Sequence, residues 1–209
     1  MTSTRPDPAV DETPVRRRIL DAAFSAFIEA GYAATTMLEI ARRARVSKRE
    51  LYAVVGNKQD MLVTCIRERS RRLRPPDDLP ELRDRATLER VLLGVGTQLL
   101  HETTQETVIA AFRLAIAEAV RAPEVAAALD THGRQTGRVT LTTIMTQAQA
   151  RGLLDGQPAE LAEQFAGLLW GDLMTTLLLR VAEPPDPSEI GRRAHGALEA
   201  FLRLHPSPG

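Results

Sequence analysis

Apolar residues recur at helical spacing along almost the whole chain. In residues 15–30, Ile19, Ala23 and Phe27 stand four apart with Leu20 and Phe24 beside them, one broad stripe. The stripe stops at Gly31, a residue that takes the left-handed conformation ending many helices. Three helix-start signatures then follow. Thr36-Met37-Leu38-Glu39 and Ser47-Lys48-Arg49-Glu50 have the capping-box form, a hydroxyl for the third amide and a carboxylate to reach back. Asn57-Lys58-Gln59-Asp60 is a weaker version of it. They predict short helices over 37–44, 48–54 and 58–73. Only Ala44-Arg45-Val46 separates the first two, which leaves room for a tight turn and nothing else. Ile40, Ala41, Ala44, Val46, Leu51 and Val55 can then pack together and onto the first helix, a helix-turn-helix braced by a third helix.

No segment alternates with β-branched enrichment, so the chain reads as all-α. Further helices are expected over 84–101, 105–121, 124–150, 158–182 and 187–204, with Pro123 and Pro158 at the tolerated first-turn position. Asp186-Pro187-Ser188-Glu189 opens the last of them. Three prolines within Arg74–Pro80 must interrupt any helix. The expected organisation is a disordered tail over 1–13, a first domain over 14–74 and a larger helical domain over 81–209. The stripes of the last two helices are wider than one neighbour needs. They suit either the core of one chain or a four-helix interface about a two-fold axis, with Leu169, Leu173, Leu177, Ala194, Ala197, Leu198 and Phe201 as its candidates.

Composition narrows the function classes. With 209 residues, 44% hydrophobic, 4% aromatic and one cysteine, the chain has the make-up of a globular protein without an internal disulfide. No apolar run reaches about 18 residues and the first twenty residues have no apolar core, so neither a membrane span nor a secretory signal is expected, and a cytoplasmic protein is. The zero net charge hides an asymmetry: Lys and Arg outnumber Asp and Glu 15 to 9 up to Arg74, and trail them 12 to 18 afterwards.

With Leu51 and Val55 turned inward, helical spacing turns Lys48, Arg49, Tyr52 and Ala53 outward together. Two cations, a phenol and a small residue suit a helix entering the DNA major groove. The cations can meet guanine edges or phosphates, Tyr52 a phosphate, and Ala53 allows close approach to a thymine methyl. Free amides near Thr36 make a phosphate site. Lys58, Arg42, Arg43 and Arg45, and Arg16 to Arg18 from the first helix, add neutralising charge.

Residues 16–66 resemble the N-terminal domain of TetR/AcrR-type transcriptional regulators. The resemblance is carried by Ile19-Leu20-Asp21-Ala22-Ala23, Gly31-Tyr32, Thr35-Thr36, Ile40-Ala41, Val46-Ser47-Lys48, Leu51-Tyr52 and Asn57-Lys58. It implies that Thr36–Val55 is the DNA-binding unit, that Ser47 opens the recognition helix, and that Tyr52 and Lys58 meet phosphates. It further implies a homodimer on double-stranded operator DNA, whose helical C-terminal domain binds a small effector that releases the DNA. Two positions depart from the family pattern: Arg45 stands where the turn usually has Gly, and Val55 where an aromatic is common. They motivate the alternative of a helical small-molecule-binding protein with a vestigial DNA head.

For the effector, His101, Thr104, Phe112, Thr142, Thr143, Gln147 and Trp170 are the polar and aromatic candidates among apolar neighbours. Four scattered histidines without ligand spacing, and no H-E-x-x-H, Walker or G-x-S-x-G pattern, give no reason to expect a metal, a cofactor or catalysis. Gly94-Val95-Gly96 fits close helix packing better than phosphate binding, and Cys65 fits an inert buried thiol better than a redox sensor.

Overall fold

The structure, a computed structural model, describes residues 13–73 and 80–206. The expected tail up to residue 12 and the expected break over 74–79 lie outside them. Every regular element among the described residues is a helix: α1 Pro14–Ala30, α2 Met37–Ala44, α3 Lys48–Val55, α4 Lys58–Ser70, α5 Arg85–Thr103, α6 Glu106–Glu118, α7 Pro123–Leu129, α8 Gln135–Ala150, α9 Pro158–Trp170, α10 Leu173–Leu178 and α11 Pro187–Leu204. Among them no helix is long and apolar enough to cross a membrane. The chain divides into two compact units, Met1–Cys65 and Ile66–Gly209, so the division falls inside α4 and earlier than the proline run suggests. Cys65 explains the difference on the first side, its buried thiol donating to the Leu20 carbonyl at 3.4 Å.

In the first unit, α1 starts on Thr13, whose hydroxyl accepts from the Arg16 amide, with Pro14 at the first helical position. It ends at Gly31, where φ is 84°. Ile19, Ala23 and Phe27 are fully buried, as the stripe requires. Tyr32 is buried too, its ring 5.4 Å from that of Phe27.

The second unit is built around α5, α8, α9, α10 and α11. Leu88, Leu92, Leu99, Ile144, Met145 and Phe165 fill its core, with Phe165 edge-on to Phe201 at 5.4 Å. Gly96 lets α5 approach α9 closely: a Cβ there would sit 3.3 Å from Leu169 Cδ1 and 3.4 Å from Phe165 Cζ. Leu169, Leu173, Leu177, Ala194, Ala197, Leu198 and Phe201, the dimer candidates, all belong to this same core. Of the two uses open to these stripes, packing within one chain is the one this core makes of them. The apolar faces are wide because α11 packs on both α5 and α9 within one chain.

Two helices expected to be continuous are not. The segment 158–182 breaks at Gly171, whose φ of 49° and ψ of −123° are open only to glycine, and it resumes as the short α10. The segment 124–150 carries a π turn at Asp130–Arg134 between α7 and α8. There the Asp130 carboxylate accepts from Arg134 Nε and Gln135 Nε2, both at 2.8 Å. Hydrophobic periodicity tolerates either irregularity, so neither is visible in it.

Arg85, half-buried at the start of α5, donates to the carbonyls of Leu153 at 2.9 Å, Leu202 and His205, gathering the chain beyond α8 and the end of α11. Donors from a guanidinium to otherwise unsatisfied carbonyls each contribute about 1.5–3 kcal/mol. Arg85→Ala is therefore expected to lower the unfolding free energy by about 2–3 kcal/mol in urea titration. Arg85→Lys should recover less than half of that, because an ammonium cannot reproduce the planar fork.

Candidate nucleic-acid interface

The helix-turn-helix is assembled from its caps. Thr36 Oγ1 accepts from the Glu39 amide at 3.2 Å and Ser47 Oγ from the Glu50 amide at 3.1 Å, starting α2 and α3 at the expected residues. Glu39 does not reach back as a capping box would. Its carboxylate takes Arg42 Nε at 3.0 Å and Arg43 Nε at 2.7 Å instead. The full reciprocal box forms at the site that looked weakest in sequence. Asn57 Oδ1 accepts from the Gln59 and Asp60 amides, and Asp60 Oδ2 accepts from the Asn57 amide at 3.1 Å.

Between α2 and α3, Arg45 adopts φ 53° and ψ 48°, the left-handed geometry the turn requires. A non-glycine residue there costs about 1 kcal/mol. Its amide bonds to the Ala41 and Arg42 carbonyls, and the Val46 amide to the Ala41 carbonyl at 3.1 Å. Leu51 is fully buried and Val55 nearly so, which fixes the rotation of α3. Lys48, Arg49, Tyr52 and Ala53 consequently share the exposed side, Tyr52 at 44% exposure, with Lys48 Nζ 5.9 Å from the centre of its ring. Thr36, Arg45 and Ser47 are exposed as well.

Several cations expected to neutralise DNA are engaged within the unit. Arg43 bonds Glu29 at 2.6 Å as well as Glu39. Arg16 donates to the Val54 carbonyl at 3.3 Å and Arg18 to the Ala44 carbonyl at 2.7 Å, at the ends of α3 and α2. Lys58 Nζ donates to the Ala33 carbonyl at 3.1 Å and lies 4.6 Å from the centre of the Tyr32 ring. Sequence reasoning also missed Leu38, a large apolar side chain 68% exposed on the first turn of α2. Its place off the Ile40–Ala41–Ala44 stripe was the available signal.

The effector candidates in the second unit have different surroundings. Thr142 and Thr143 border an open concavity of about 500 Å³ along α8 with Arg138, Val139 and Thr146, and each hydroxyl donates to a carbonyl one turn back. Trp170 Nε1 donates to the Thr103 hydroxyl at 3.1 Å, and Thr104 is buried. His101, its ring 3.3 Å from the Gln105 amide nitrogen, is exposed, as is Gln147, and Phe112 is half-buried on α6.

Hydrogen bonds from Arg42 and then Arg43 hold the Glu39 carboxyl at a pKa of about 2, against an ordinary 4.5. A depressed carboxylate stabilises the fold fully above its unfolded pKa, and that contribution is lost as pH falls through the folded value. Glu39 is thus expected to stay ionised at pH 3.5 and to lose its contribution between about 4.5 and 2. Side-chain carboxyl NMR shifts recorded against pH check this, and Arg42→Gln should move the midpoint upward.

Comparison with known proteins places these features among relatives. A family model described as "Bacterial regulatory proteins, tetR family" matches residues 19–65, and one described as "AefR-like transcriptional repressor, C-terminal domain" matches residues 90–205. The uncharacterized HTH-type transcriptional regulator YvkB of Bacillus subtilis (strain 168) is 26% identical over 158 residues, 76% of this chain and 80% of that protein. Among solved structures, a TetR transcriptional regulator from Agrobacterium tumefaciens superposes with a TM-score of 0.76 at 27% identity, covering 92% of this chain and 95% of that one. The flavonoid-responsive regulator FrrA does so with a TM-score of 0.76 at 27% identity, covering 93% and 98%.

Proposed function

This chain belongs to the TetR family of bacterial regulatory proteins and is a DNA-binding transcriptional regulator; from that premise we propose that it is a homodimeric, cytoplasmic repressor that leaves its operator when a small molecule binds. The observation that carries the reading is the single exposed side of α3, bearing Lys48, Arg49, Tyr52 and Ala53 and held by the buried Leu51 and Val55. Lys48 and Arg49 meet base edges or phosphates, Tyr52 a phosphate, and Ala53 lies against a thymine methyl. Thr36 and Ser47 present helix N-terminal amides to the backbone, and Arg45 and Lys58 lend charge at its edge.

Two such heads would read half-sites roughly 34–36 Å apart on a near-palindromic operator. With Leu169, Phe201 and their companions buried in one chain, we place the contact of the pair on the outer faces of α9 and α11. There Gly167 and Gly196 have open space where a Cβ would stand, and Leu204 is exposed. The effector acts by preferring the conformation that does not fit the operator, and it shifts the population only by its differential affinity. The name of FrrA makes a flavonoid the first molecule to try for release.

On the DNA flanking its own gene the protein is expected to bind in the nanomolar range, at least about a thousandfold tighter than on scrambled DNA, with a steep salt slope. Lys48→Ala should weaken specific binding at least about fivefold, and Tyr52→Phe should weaken it too. A protection footprint with fluorescence titration checks this. Equal affinity for scrambled DNA would instead leave a helical binding protein with an idle head.

A further inference from the structure

The Ala44 carbonyl closes α2, where no amide of the helix remains to meet it. Arg18 Nε, reaching from α1, donates to it at 2.7 Å. The next residue, Arg45, holds the left-handed turn without being glycine, one of two non-glycine residues at positive φ among the described residues. The favourable contact and the strained turn are one peptide apart, and the orientation of α3 against α2 depends on that turn.

We infer that Arg18 is a positioning residue for DNA recognition: by holding the Ala44 carbonyl it keeps the strained Arg45 turn in place, and so aligns the exposed side of α3. It acts through the main chain rather than on a phosphate. The inference deepens the operator-binding reading and rests on it. Arg16, on the Val54 carbonyl at 3.3 Å, braces the other end of α3 in the same manner and with a longer contact.

The test uses full-length Arg18→Gln, Arg45→Gly and the double variant. Operator binding is titrated at several salt concentrations, and amide hydrogen exchange is measured in the free protein. Arg18→Gln is expected to weaken operator binding about tenfold with an unchanged salt slope, whereas loss of a phosphate contact lowers the slope by about one. The Arg45 and Val46 amides, which close the turn on Arg42 and Ala41, should exchange about tenfold faster, with the α1 core amides unaffected. Glycine takes the left-handed turn without strain. In the double variant the exchange should therefore return to normal, and its operator binding should fall by under about twofold against Arg45→Gly alone. A slope lowered by about one, unaltered exchange in Arg18→Gln, or a tenfold loss that persists in the double variant against Arg45→Gly would each overturn the inference. Should the wild-type protein lack operator preference, the regulator reading fails, while the exchange measurement, which needs no DNA, still decides the clamp.

Discussion

The last carbonyls of a helix have no donor within it, and a chain of short helices has many such ends. At several of them here the donors come from arginines on other helices. Arg16 and Arg18 close α3 and α2, Arg113 closes α10 on Leu177 and Leu178, and Arg85 reaches three carbonyls at the ends of two more segments. Guanidinium suits this task because several donors spread in one plane serve adjacent carbonyls, and a cation sits favourably at the negative end of a helix dipole. Apolar packing brings the helices together. These contacts fix how far along one another they lie, which apolar surface, being non-directional, does not specify.

The consequence for function is that many cations of the first unit are tethered in place, and Arg42 and Arg43 are offset by Glu39 and Glu29. The first third of the chain carries six more cations than anions. Yet Arg16, Arg18, Arg42, Arg43 and Lys58 are each held by a carbonyl or carboxylate of the same unit. Lys48 and Arg49 are exposed beside Tyr52. Charge alone spreads candidate cations over three helices, whereas the geometry sets Lys48 and Arg49 out in the open on α3, with Arg45 in the turn before it.

Local chemistry was legible in sequence where it is local in space. The starts of α2, α3 and α4 follow from Thr36, Ser47 and Asn57, and Pro14, Pro123, Pro158 and Pro187 each mark a first turn. The inward pair Leu51 and Val55 follows from spacing. What spacing could not give is the identity of a neighbour. An apolar stripe reads the same whether it meets its own chain or another copy, so Leu173 and Phe201 looked equally fit for either. The partners of Arg85 lie 68 to 120 residues away. The break at Gly171 depends on a backbone angle that leaves the hydrophobic pattern intact.

The two departures from the family pattern act oppositely on the head. Val55 is smaller than an aromatic, but it is buried beside a fully buried Leu51, so the core closes around what is present and α3 keeps its rotation. Arg45 carries a real cost, because Cβ crowds the following carbonyl at positive φ. A strained turn persists only where its surroundings over-determine it. Here they do: two amides fold back onto α2, the Ala44 carbonyl is held at 2.7 Å, and Ser47 caps α3 directly afterwards. A vestigial head would be under no constraint to keep that arrangement, since strain of about 1 kcal/mol is removed by a single change to glycine. An exposed arginine at a position where glycine is easier argues for a use for its charge, and that position directly precedes the exposed side of α3.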